Sequence, residues 1–79
     1  MNKIKFSELK CLIINFENDL LSDMEIEDGV NFSEEKVLFI EEINKTKDIF
    51  DIIKVLEGRG YNKQGSIELI FNSIIDFQN

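Results

Sequence analysis

The stretch Ser7–Ser22, SELKCLIINFENDLLS, decides the fold. Leu9, Leu12, Ile13, Phe16 and Leu20 recur at i, i+3, i+4 and i+7, the spacing that gathers apolar side chains on one face of an α-helix. Thirteen isoleucines raise strand propensity, but only Ile4 and Phe6, set among lysines, alternate as a strand would. Ser7 ahead of Glu8 supplies a capping hydroxyl and an acidic first turn. The pattern predicts a helix over 7–22, then a loop to Asn31 that contains the turn signal Asp28-Gly29. Ile14, Leu21 and Cys11 fall off the main stripe. They imply a central helix with neighbours on two sides, the alternative being an oligomer contact.

Working outward, Ser33 opens a second helix, 33–45, with Phe32 and Val37 spaced as a hydrophobic staple and Glu34 and Glu35 complementing the helix dipole. Val37, Ile40, Ile43 and Asn44 share its predicted inner face. The apolar rhythm fails over Asn44–Lys47. Thr46 or Asp48 then caps a third helix, 47–57, striped by Ile49, Ile52, Ile53 and Leu56 and stopped by Gly58 and Gly60. One continuous helix over 33–57 is the alternative. A fourth helix, 62–77, starts at Asn62 and carries Ile67, Ile70, Phe71, Ile74 and Phe77. The pattern Phe-Ser-Glu-x-Lys at Phe6 and again at Phe32 is the same helix-start chemistry used twice. The expected fold is all-α, a three- or four-helix bundle formed by one domain over 1–79. For a chain of this size, surface scaling gives about 4,900 Å² exposed when folded, enough burial for one thin core and no deep substrate cavity.

The chemical inventory is poor. The 79 residues include no His, no Trp, no Pro, one Cys and one Tyr. A structural zinc site, a Ser–His or Cys–His nucleophile pair and an internal disulfide are all excluded. The lone cysteine fits a reducing compartment, and no apolar run approaches a membrane span or a signal peptide, so a cytoplasmic protein is expected. Ile, Asn and Lys supply 29 residues while Ala is absent, which fits an AT-rich bacterial, phage or mobile-element gene.

Charge is the informative property. Sixteen acids against nine bases give a net charge of −7. Residues 17–42 hold ten of those acids (Glu17, Asp19, Asp23, Glu25, Glu27, Asp28, Glu34, Glu35, Glu41 and Glu42) and one base, Lys36. Residues 43–79 balance five acids with five bases. Like charges at this density repel one another and cost stability. At about 100° per residue, Glu34, Glu35, Glu41 and Glu42 fall opposite the predicted inner stripe of the second helix, with Leu38 in their midst and Phe39 on the flank. An apolar anchor with a charged rim is the layout of an interface hot spot.

Other chemistries fail on the residues. An EF-hand register that places Gly29 at its sixth position puts Met24 and Ile26 where calcium ligands belong. Carboxylate pairs for acid–base work are abundant, but a glycosidase needs a cleft, and di-metal bundle sites need histidine. Gly58-Arg59-Gly60 is too short for a phosphate loop. Acyl carrier proteins carry their prosthetic group on the serine of Asp-Ser-Leu at a helix start, whereas here Leu21-Ser22-Asp23 stands in reverse order at a predicted helix end. Lys3, Lys5 and Lys10 form the only cationic segment, too little for phosphate contacts, so direct nucleic-acid binding is not expected.

The expectation is a non-enzymatic protein with no cofactor and no metal. It resembles, in type only, the small acidic helical proteins that neutralise bacterial toxins. It would dock an acidic helix face on the basic functional site of a partner such as a nuclease, using the ten acids of 17–42 and Leu38. A phage DNA mimic of the anti-restriction type and an adaptor subunit are the alternatives.

Overall fold

The computed structural model describes residues 4–78. They form α1 (Phe6–Asp28), α2 (Ser33–Asn44), α3 (Ile49–Gly58) and α4 (Lys63–Gln78), with no strand among the described residues. Each helix packs on the next and α4 packs on α1, so the four close into a ring. Directions alternate. Lys10, early in α1, donates to the carbonyls of Asn44 and Thr46 past the end of α2, at 3.3 and 3.0 Å. Lys36, early in α2, meets Glu25 late in α1 at 2.7 Å. On the other side of α1, Leu12 shares a depression with Phe77, and Glu17 meets Tyr61.

Local chemistry explains the helix ends. α1 is longer than predicted because Asp23–Asp28 contains nothing that stops a helix. Gly29, at φ 68°, is the stop, and its N–H donates to the Glu25 carbonyl at 2.9 Å. The Asp28-Gly29 signal therefore marks a helix end rather than a loop middle. The N-cap of α1 is Lys5, whose N–H donates to the Glu8 carboxylate at 3.3 Å, and Ser7 lies inside the helix. Ser33 likewise lies inside α2, and Asn31 Oδ1 accepts both its N–H and its hydroxyl. Asp48 caps α3 by accepting the Asp51 N–H at 2.9 Å, while the buried Thr46 hydroxyl donates to the Ile43 carbonyl at 2.5 Å. A continuous 33–57 helix is thereby excluded. Gly58 stays helical, and the left-handed turn falls on Gly60, at φ 103°. Asn62 Oδ1 accepts the Gly65 N–H at 2.6 Å and starts α4, as predicted.

The core is one cluster of Leu9, Ile13, Phe39, Ile43, Ile52, Leu56, Leu69 and Ile70. Three predicted stripes are rotated relative to it. In α1 the buried line is Leu9, Ile13, Glu17 and Leu21, and Phe16 and Leu20 are largely exposed. In α2 it is Phe39 and Ile43, and Val37 is exposed. In α4 it is Ser66, Leu69, Ile70 and Ser73, and Ile67 and Phe71 face outward. The two serines belong in a core because each hydroxyl donates to a carbonyl four residues back, at 2.9 Å, and their small size lets α4 approach its neighbours. α1 has neighbours on two sides, α2 and α4, as expected, with Ile14 and Leu21 turned to the interior, whereas Cys11 is exposed. The molecule measures 41 × 25 × 21 Å and exposes 5644 Å², more than the scaling value, as an elongated shape with many outward apolar side chains requires.

Candidate partner-binding surface

The ten acids predicted to form one surface separate into distinct environments. Glu17 is not on the surface. At 5% exposure it faces inward from the buried line of α1, and its carboxylate accepts the Tyr61 hydroxyl at 2.9 Å. Four-residue spacing from Ile13 and to Leu21 places it there, so it offers nothing to a partner. Burial, reinforced by the Glu17 carboxylate, pushes the Tyr61 hydroxyl up to about 12.

Glu25 is committed within the molecule. It pairs with Lys36 at 2.7 Å and accepts the Phe32 N–H at 2.8 Å, and these two donors hold its carboxyl below the usual range. Lys36 also donates to Ser22 Oγ at 2.9 Å. The contact pins the end of α1 to the start of α2 across the intervening turn. It is the single ion pair among the described residues.

The remaining acids are exposed and lie on two sides of the bundle. Asp19, Asp23 and Glu27 recur every four residues along α1. On a helical wheel they fall roughly opposite Lys10, Ile14 and Glu25, the side that α1 turns to α2. Asp28 ends that helix. Glu25, Glu27 and Asp28 thus crowd the negative end of the α1 dipole with no base in its last turn, an unfavourable placement.

Glu34, Glu35, Glu41 and Glu42 ride on α2, and no side chain among the described residues forms an ion pair with them. With Phe39 and Ile43 facing the core, the outermost line of α2 runs through Glu34 and Glu41, flanked by Val37 and Leu38. Leu38 is 52% exposed, as predicted, and Val37 is 55% exposed, contrary to prediction. Both apolar side chains line a shallow open depression of about 380 Å³ with Ser33, Glu34 and Glu41. Phe39, predicted to flank this face, is fully buried. It packs beneath Arg59, whose guanidinium sits 4.7 Å from the ring centre and donates to the Glu35 carbonyl at 2.9 Å.

Val37 is an outer-face residue that the apolar stripe of α2 places inside. The signal was available: centring the wheel on Phe39 and Ile43, the pair four apart, turns Val37 outward.

The polar side chains that line the depression are Ser33, Glu34 and Glu41, all exposed, and no group of three or more His, Cys, Asp or Glu side chains converges to hold a metal among the described residues. No helix there is long and apolar enough to cross a membrane. Comparison with protein-family models, curated proteins and solved structures finds no match to this chain.

Proposed function

We propose that this chain is a non-enzymatic binding protein of the immunity or inhibitor type, which places the outer face of α2 on a basic functional site of another protein. The observation that carries the reading is the pairing of Val37 and Leu38, each half-exposed, with Glu34 and Glu41 around one shallow depression. Apolar anchors supply affinity once water is excluded, and the carboxylate rim steers a cationic partner inward and raises the association rate. Rapid capture suits a protein that must neutralise a toxin, such as a nuclease, before damage occurs. The acids of α1 lie on another side, so the docking set centres on Glu34, Val37, Leu38 and Glu41, with Glu35 and Glu42 on its α3-facing flank. A DNA mimic would use one long continuous carboxylate track. The separation into an α2 face and an α1 strip supports a compact protein partner instead.

The test is capture of a partner at low salt, followed by elution along a salt ramp. Charge reversal of Glu34, Glu35, Glu41 and Glu42 to lysine is expected to abolish capture, and Leu38→Asp to weaken it at every salt concentration. Retention of the same partner by both variants would overturn the reading in favour of an adaptor that uses another surface.

A further inference from the structure

We propose that the chain forms a symmetric dimer through the α3–α4 face, with Phe50 and Phe71 at the centre of the interface. The two are the most exposed aromatic side chains among the described residues, at 74% and 62%. Ile49, Ile67 and Ile75 are also substantially exposed. On α4, Ile67, Phe71 and Ile75 are spaced four apart and form a single line on the outer side of the helix, turned away from the buried Ser66–Ile70–Ser73 face.

The ring topology brings the two sets together. On α3, Val55 marks the edge turned to α2, where it shares a depression with Glu42 and Thr46. Ile49 and Phe50 lie around the opposite side of the buried Ile52–Leu56 line, the side turned to α4. In a ring of alternating helices, the flank that α1 turns to α2 has the same angular sense as the flank that α4 turns to α3. Lys10 and Ile14 define that sense on α1, and on α4 it selects Ile67 and Phe71. One apolar surface therefore runs along the outside of the α3–α4 hairpin.

A second copy of this chain is the occupant that fits. From the exposure of these five side chains, their combined apolar surface is about 500 Å², at the upper end of what a monomer leaves uncovered. It would form the apolar centre of an interface of about 800 Å² per partner, the rim supplying the rest. Charge decides between a copy and a foreign partner. Two chains of net charge −7 repel wherever their acidic halves meet, but residues 43–79, which contain both helices, are balanced at five acids and five bases. This neutral half is where copies approach with the least repulsion, and a two-fold axis through the Phe71 line makes the patch its own complement. The inference is independent of the proposed function, since α2 presents its outer face elsewhere.

The experiment is sedimentation equilibrium of the full chain from micromolar to submillimolar concentration. The wild-type chain is expected to have the mass of two copies. The Phe50→Glu and Phe71→Glu variants are expected to have the mass of one, with unchanged helical circular dichroism because both positions are exposed. A wild-type monomer throughout the range would overturn the proposal and assign the face to a different protein. A dimer that survives both variants but dissociates in Leu38→Glu would also overturn it, by moving the contact to α2.

Discussion

The Tyr61 hydroxyl donates a 2.9 Å hydrogen bond to the Glu17 carboxylate, linking the middle of α1 to the turn before α4 across 44 positions of sequence. Glu17 is among the most deeply placed ionisable side chains in the fold, and Tyr61 is the donor found for it. Tyr61→Phe should therefore destabilise the protein by about 1–3 kcal/mol, the cost of stranding a buried acceptor, as read by urea denaturation. Tyr61→Phe combined with Glu17→Leu should recover part of that loss.

The same bond makes a pH prediction. Tyr61 titrates near 12 in the folded protein and about 10 when unfolded. The fold favours the protonated form, so this contribution is complete below about pH 10 and is lost as pH rises towards 12. Tyr61 is the only tyrosine, so its absorbance change on ionisation reports this site alone. In Tyr61→Phe the corresponding component of alkaline destabilisation should vanish.

Glu25 has the opposite sign. Lys36 and the Phe32 N–H lower its pKa, so its contribution is present above the usual carboxylate range and is lost as pH falls through the lowered value. Lys36→Met should return the Glu25 titration, followed by carboxyl carbon NMR, towards the ordinary range. It should also shift the acid unfolding midpoint to higher pH.

Two residues of α2 that stand two apart in sequence, and so face opposite sides of the helix, should behave in opposite ways. Phe39→Ala empties the centre of the core and is expected to cost about 3–5 kcal/mol, much of the stability of a domain this small. Val37→Ala, on the outer face, should change stability by no more than about 0.5 kcal/mol. Parallel chemical denaturation of the two variants checks both.

Two glycines close together should also diverge. Gly58 is helical and a Cβ there meets nothing within 4 Å, so Gly58→Ala should stabilise by about 0.4–1 kcal/mol. Gly60, at φ 103°, has open space but a backbone conformation that alanine resists, and Gly60→Ala should cost about 1 kcal/mol or more. Thermal melts should separate the two variants in opposite directions from wild type.

These contrasts show which information the sequence exposes. Helix number and type were legible from periodicity, and the caps at Asp48 and Asn62 were legible because each depends on one short side chain and the next few backbone groups. The phase of the stripes was not. α1, α2 and α4 each carry apolar residues on more than one face, so the line richest in apolar residues was not the line that went inside. Phe16 and Leu20 outscore Glu17, and Ile67 and Phe71 outscore Ser66 and Ser73, yet the polar members are buried because a tyrosine hydroxyl or a backbone carbonyl satisfies them. The charge pattern had the same blind spot: a run of acids in sequence becomes an internal bond at Glu17, a pin at Glu25 and two separate surfaces once wound on two helices.

The beginning of α1 and the end of α4 lie side by side, Leu12 and Phe77 bordering one depression. The ring can therefore be joined there by a short linker and opened between α2 and α3 at the exposed Lys47, leaving the buried Thr46 attached to α2. Such a circular permutant would keep all four helix contacts while its α2 face stood beside a free chain end.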